Sequence, residues 1–386
     1  MIKSLYHTAA GKALAAVTTG LLLTFIAACS DDEKDALYID TNTYYDEAYR
    51  PSVHFTPKTY WTNDPNGMAY LDGEYHLFYQ YNPMGSVWGN LSWGHAVTKD
   101  LMHWEHLPVA LTKDANGEIF SGSIVIDRDN TAGFGKDAMI AVYTSNGQKQ
   151  TQSLAYSLDK GRTFIKYKNN PVLKDDAKPD FRDPKVFWYA AGSKWIMSLA
   201  TGQTITFYSS SDLKEWKKLS DFGDGIGAHG GVWECPDLIQ MDYNGQKKWV
   251  LLVSINPGGP NGGSATQYFV GDFDGKSFKP DNTYNKQLEG KEAIWLDWGK
   301  DNYASVTWNN APNGKRLMIG WMSNWAYAQE VPTEKWRSAN TIAREIILTK
   351  NNEEYLLKTM PVQQLSKYKT KKIIKNIPIE KSNVLI

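Results

Sequence analysis

The chain has 386 residues, enough for two average domains or for one large all-β unit. Lys plus Arg and Asp plus Glu each total 42, so no net field gathers nucleic acid or an anionic membrane surface, and a neutral partner suits the balance best. Only two cysteines exist, Cys29 and Cys235, so stability has to come from a packed core rather than from a disulfide framework.

The first elements in chain order belong to targeting. Lys3 and Lys12 give a basic start, residues 13–28 are almost wholly apolar, and Ile26-Ala27-Ala28-Cys29 places small residues directly before a cysteine. This run resembles a bacterial lipoprotein signal with its lipobox, which implies a signal segment over 1–29, lipid on Cys29 and a solvated tether over 30–50. An ordinary secretory signal with an incidental cysteine is the alternative. The lipid is then the sole link to a membrane, and the chain is expected in the envelope of a Gram-negative bacterium, facing the periplasm or the outside. Past the leader no apolar run is long enough to span a bilayer.

From about residue 53 to 348, short runs rich in Val, Ile, Tyr, Trp and Phe alternate with Gly, Asn and Asp turns, and helical periodicity is absent. One element recurs four times: Val97 to Trp104, Tyr156 to Phe164, Ser209 to Trp216 and Val270 to Phe278. Each joins a strand end to a turn built on Asp100, Asp159, Asp212 or Asp274, and then to an aromatic opening the next strand. A second series lies between them. Asp64-Pro65, Asp183-Pro184 and Cys235-Pro236 each begin a strand that turns at a Gly and returns, and Ser121 to Ile126 and Ala293 to Trp298 fill the same place in two further units. Five units of roughly sixty residues, each able to supply four strands, predict an all-β five-bladed β-propeller over 51–349. Residues 350–386, with a Lys-rich stretch, read as a linker or the first strand of a truncated β-sandwich.

In a propeller the innermost strands line one channel and run in one direction, so their starting residues meet at one mouth. Asp64, Asp183 and Glu234 sit at or beside such starts. Carboxylates crowded at a narrow mouth repel, which separates their pKa values and lets one stay protonated while another is ionised. Glycoside hydrolysis uses that pair, with a spacing of about 5 to 5.5 Å giving retention of configuration and about 6.5 to 9.5 Å inversion. Each motif alone has a plainer reading: Asp64-Pro65-Asn66-Gly67 as a turn, Arg182-Asp183 as a local ion pair, Glu234 as a loop residue and Cys235 as a small buried hydrophobe. His95, His103 and His106 lack the spacing of a zinc site and read as packing and turn residues.

Trp61-Thr62-Asn63-Asp64-Pro65-Asn66-Gly67, Phe120-Ser121-Gly122-Ser123, Arg182-Asp183-Pro184 and Glu234-Cys235-Pro236 resemble, in order, the signature stretches of glycoside hydrolase family 32, the levanase, inulinase and invertase type. Gln80, the stretch Trp88 to His95 and the stretch Trp321 to Trp325 add to the resemblance, which covers nearly all of 53–348. It implies Asp64 as nucleophile, Glu234 as acid/base, and Asp183 with Arg182 gripping ring hydroxyls. It also implies Asn63, Gln80 and Ser121 as hydrogen-bonding sugar contacts, Trp88, Phe120 and Trp325 as apolar walls, and neither metal nor organic cofactor. The expected substrates are levan and inulin, with sucrose a further candidate, attacked by a monomer from the chain end. Thr62 departs from the family, where an apolar residue is commoner, and the C-terminal sandwich typical of the family is expected to be absent or truncated. Three rivals stay open: an endo-acting levanase, a five-bladed hydrolase of arabinan or xylan, and a surface glycan-binding lipoprotein without catalysis. The Asp-box-like turn around Asp159 also resembles sialidases, but only one unit carries it.

Overall fold

The strands differ in burial according to their place in each sheet. Runs such as Trp249 to Ile255 and Met139 to Tyr143 are buried at every residue, so both faces are covered. Such continuous apolar runs mark strands sandwiched between neighbouring sheets. Glu354–Pro361, by contrast, buries Tyr355 and Leu357 while exposing Glu354, Leu356 and Lys358, the alternation of an edge strand with one face on the core.

A computed structural model describes residues 45–368, and Cys29, the leader and residues 369–386 lie outside the described residues. Five antiparallel sheets follow one another along the chain. Blade one holds Tyr60–Leu71, Glu74–Asn82, Ser92–Thr98 and Glu105–Leu111. Blade two holds Glu118–Asp127, Ala138–Asn146, Gln150–Ser157 and Ile165–Lys166, with Leu173–Lys174 also paired to its third strand. Blade three holds Arg182–Tyr189, Lys194–Ala200, Ile205–Ser210 and Lys217–Phe222. Blade four holds Val232–Tyr243, Gln246–Asn256, Ala265–Phe273 and Phe278–Pro280, and blade five holds Tyr303–Thr307, Leu317–Trp321, Arg344–Asn351 and Glu354–Pro361. The first strand of every sheet touches the first strands of the sheets on either side, and the ring closes between blades five and one. Ala69 bridges Asn309 in parallel, and Trp336–Arg337 adds a parallel strand to Tyr60–Trp61. The fold is the expected five-bladed β-propeller.

The recurring Asp turns cap themselves. Asp100 Oδ1 accepts from the backbone N–H of Met102 (3.0 Å) and His103 (2.9 Å), Asp212 Oδ1 from Lys214 and Glu215 (both 2.9 Å), and Asp274 Oδ1 from Lys276 (2.8 Å) and Ser277 (2.7 Å). Asp159 does the same for Thr163 (2.9 Å). Each turn links the third strand of a blade to its fourth, where the chain reverses and leaves donors unpaired.

Three boundaries differ from the sequence expectation. The inner strand of blade five is Tyr303–Thr307, not Ala293 to Trp298. The latter stretch lies along the third strand of blade four, where Ile294 O accepts from Tyr268 N (3.0 Å) and Leu296 N donates to Thr266 O (2.9 Å), so its aromatic content serves a blade edge. The propeller also continues past 349, because Glu354–Pro361 pairs along Arg344–Asn351 as the outer strand of blade five, and residues 350–361 are therefore no linker. At the other end, Arg50 donates to Thr56 Oγ1 (2.8 Å) and Pro57 O (2.7 Å) and lies over the ring of Trp336 (4.3 Å), which seats residues expected in the tether against the first blade.

The axis is bridged across the blades. Asn309 Nδ2 donates to Ile124 O (2.6 Å) and Val186 O (3.2 Å), Lys185 Nζ to Thr307 O (2.5 Å), and Asp237 Oδ2 accepts from Thr307 N (2.6 Å) and from Lys185 Nζ (3.1 Å). These contacts join blades two to five at mid-channel, between one mouth and the other.

Candidate active site

Each inner strand carries one extra residue near its start relative to its hairpin partner, between Thr62 and Pro65, Ile119 and Gly122, Arg182 and Lys185, Glu234 and Asp237, and Tyr303 and Val306. A bulge of this kind re-aims the side chains beside it. At this level Asp183, Cys235 and Ala304 have φ of 62°, 46° and 51°, left-handed conformations that L residues seldom adopt and that strained functional turns often hold. The five bulges thus turn Asp64, Ser121, Asp183, Glu234 and Tyr303 onto one mouth. Gly67, which ends the first motif, has φ 52°, and a Cβ there lies 2.8 Å from the Phe78 ring, so both backbone and space require glycine.

Asp64, Asp183 and Glu234 line a single pocket of about 450 Å³, together with Asn63, Gln80, Trp88, Phe120, Ser121, Arg182 and Trp325, so the structure gathers every expected site residue of the propeller in one place. Asp64 accepts from Ser121 Oγ (2.7 Å) and Cys235 Sγ (3.5 Å) on Oδ2 and from Asn63 Nδ2 (3.1 Å) on Oδ1. Asn63 is held in turn by the Trp61 indole N–H (2.8 Å). Burial pushes the Asp64 carboxyl above the usual range, the charge of Glu234 adds to this, and the three donors oppose it. Asp183 accepts the Cys235 backbone N–H on Oδ2 (3.1 Å). Its carboxyl is also raised, mainly by burial, with Arg182 opposing and Glu234 and Asp64 adding to the rise. Glu234 is braced on both oxygens: Arg182 Nε and Nη2 reach Oε1 at 3.2 and 3.0 Å, and the Tyr303 hydroxyl donates to Oε2. Arg182 also contacts Asp180 and lies 3.9 Å from Asp183. Its guanidinium therefore holds the glutamate, a role the sequence reading did not assign to it.

The remaining expected residues form walls. Trp88 is 42% exposed and meets Phe120 and Trp325 edge-on at 6.3 Å each, while Trp61 stacks on Trp325 at 5.9 Å. Gln80 is a buried residue of the pocket wall, and its Nε2 has no protein partner among the described residues. Thr62 donates to Gln80 O (3.0 Å), so its hydroxyl ties the first motif to the next strand. Asn66 does likewise across blades, accepting Gly122 N at 3.1 Å.

Sequence reasoning missed Tyr303, and it left Cys235 as a bystander. Burial and the surrounding carboxylates push the Cys235 thiol well up, so it stays protonated and its S–H lies within reach of Asp64 and of Asp183 Oδ2 (3.7 Å). Val232, Asn256 and Gln329 also line the pocket. The available signal for Tyr303 was its register: it holds the position in blade five that Glu234 holds in blade four, visible once the strand is placed correctly.

A propeller whose mouth collects two aspartates and a glutamate under an aromatic collar is an arrangement suited to glycoside hydrolysis. Residues 54–360 match the glycosyl hydrolases family 32 N-terminal domain, and the chain belongs to this family. It is 53% identical to a levanase of Bacillus subtilis (strain 168) over 348 residues, which is 88% of this chain but 50% of that protein, so the chain spans half the length of that relative. It is 44% identical to an extracellular exo-inulinase of Aspergillus awamori, covering 86% of this chain and 68% of the relative. The crystal structure of exo-inulinase from Aspergillus awamori superposes with a TM-score of 0.79 at 42% identity, over 84% of this chain and 69% of the other. The structure of β-fructofuranosidase from Schwanniomyces occidentalis complexed with fructosyl-erythritol gives 0.74 at 42% identity, over 84% and 64%.

Proposed function

We propose that this protein is a retaining exo-hydrolase of β-fructofuranosyl linkages, acting on fructans of the levan and inulin type and on sucrose. One observation carries the reading: Asp64 is ringed by three donors while Glu234 faces the same pocket, braced by Arg182 and Tyr303. In the first step the Asp64 carboxylate bonds to the anomeric C2 as the C2–O bond to the leaving group breaks and Glu234 passes its proton to the departing oxygen. In the second, Glu234 takes a proton from water, the resulting hydroxide equivalent bonds to C2, and Asp64 leaves as carboxylate. Ser121, Asn63 and Cys235 stabilise Asp64 in its ionised starting and leaving forms. Asp183 supplies a fixed acceptor for sugar hydroxyls, Gln80 an unpartnered amide in the pocket wall, and Trp88, Phe120 and Trp325 the apolar surface for the ring.

Exo action is supported by the exo-inulinase relatives, and the bridges of Asn309, Lys185 and Asp237 close the channel below the mouth, so the sugar enters and leaves on one side. The levanase and exo-inulinase relatives support the choice of fructan. Chromatography of early products from levan, inulin and sucrose tests the proposal: free fructose from the first time points supports it, early oligosaccharides point to endo cleavage, and release from arabinan or xylan overturns the substrate. Unchanged hydrolysis by Asp64→Asn and Glu234→Gln removes the catalytic assignment. We further propose a monomer held in the cell envelope by lipid on Cys29. Radiolabelled palmitate incorporation that persists in Cys29→Ala refutes the anchor, and a dimer mass by light scattering refutes the monomer.

A further inference from the structure

The opposite mouth of the propeller holds a second cavity, of about 740 Å³, larger than the catalytic pocket and within the range that small-molecule sites occupy. The later residues of the same inner strands line it. On blade three, Asp183 opens the strand at the catalytic mouth, and Trp188 lies five residues on, about 16 Å further along the strand. The bridges of Lys185, Asp237 and Asn309 separate the two mouths.

Its chemistry is neutral and amphipathic. The acidic Asp127, Asp129 and Asp237 are matched in number by Arg128, Lys185 and Arg316, so the cavity favours neither an anion nor a cation. Trp188 stands edge-on to Trp195 at 5.0 Å and is 38% exposed, which leaves an aromatic face for a ligand. Arg316 makes no direct ion pair among the described residues, although Asp237 lies near enough for its charge to be felt. Its Nε donates to Gln240 O (2.9 Å) and its Nη1 reaches only Gly314 O (3.4 Å), while Asp237 is already paired with Lys185. The side-chain amides of Gln240 and Asn310 line the same space with no protein partner among the described residues. An aromatic platform, two free amides and an unpaired guanidinium in a charge-balanced cavity match the alternating C–H faces and hydroxyl edges of a sugar.

We propose that this mouth is a non-catalytic binding site for a short neutral oligosaccharide. The choice of a fructan as that sugar rests on the proposed function, whereas the site itself rests only on the cavity. Such a site holds a polymer to the enzyme between cleavage events at the other mouth.

The test is calorimetric titration of the chain carrying Asp64→Asn and Glu234→Gln, which keep the sugar intact, with a short fructo-oligosaccharide. Two sites per chain are expected, with one lost when Trp188→Ala or Arg316→Ala is added. In the otherwise unaltered enzyme these two substitutions should leave sucrose hydrolysis unchanged and raise KM for polymeric levan. No Trp188- or Arg316-dependent site with any of the neutral oligosaccharides, or two sites insensitive to both substitutions, overturns the proposal and leaves the cavity as a solvent-filled channel end. Parallel titrations with xylo- and arabino-oligosaccharides separate the two claims: a Trp188-dependent site that takes xylan but not fructan fragments keeps the site and counts against the fructan reading.

Discussion

Replacing Ser121 by alanine removes one oxygen from a buried side chain and with it the 2.7 Å hydrogen bond to Asp64 Oδ2. That bond stabilises the carboxylate and not the carboxylic acid, so its loss raises a pKa that burial and Glu234 already hold above the usual range. A hydrogen bond to a charged group contributes about 1.5 to 3 kcal/mol, and each pKa unit corresponds to about 1.4 kcal/mol, which bounds the rise at roughly one to two units. Asn63 at 3.1 Å and Cys235 at 3.5 Å remain to share the charge, so a rise of about one unit is expected. Asp64 has to be ionised to attack C2, and the acidic limb of kcat/KM against pH should therefore move up by about one unit in Ser121→Ala. Initial rates of fructose release from sucrose across about pH 3 to 8 measure it. A limb that stays in place or moves to lower pH refutes the argument, because it means that Asp64 is not the titrating nucleophile or that Ser121 does not stabilise its charge.

Tyr303→Phe removes the hydroxyl from Glu234 Oε2 and is expected to lower kcat by about tenfold with KM little changed, since the contact serves the acid/base and not the sugar; a steady-state kcat and KM split checks this. Asp64→Asn should raise the melting temperature at pH 7. The folded pKa of Asp64 lies above its unfolded value, so the folded chain keeps a proton that the unfolded chain has lost, and stability falls as pH rises through that window. The gain should vanish below about pH 3, where both states are protonated, and calorimetric melting at the two pH values decides it. Lys185→Met leaves the fully buried Asp237 without its ammonium partner and is expected to cost about 3 to 5 kcal/mol in denaturant unfolding, with partial recovery when Asp237→Leu is added.

Much of the architecture was legible before any coordinates. The Asp100, Asp159, Asp212 and Asp274 turns are local devices, since each carboxylate caps N–H groups two to four residues away, and their recurrence sets the blade period. The motifs around Asp64, Asp183 and Glu234 announced themselves because a Pro follows each acidic residue within two positions. Blade five escaped, since Ala293 to Trp298 is as apolar and aromatic as an inner strand, and only its pairing with Thr266 and Tyr268 shows that it borders blade four.

What the amino-acid order determined by itself is therefore everything that acts across a few residues: turn chemistry, strand periodicity, the five-fold count and the identity of the three carboxylates. The tertiary structure decided which groups those carboxylates meet. Tyr303 and Arg182 reach Glu234 from 69 and 52 residues away, and Ser121 and Cys235 reach Asp64 from 57 and 171. Such contacts depend on the closing of the ring and on a bulge near the start of each inner strand, and burial sets the charge state of a carboxyl only once the blades have packed around it.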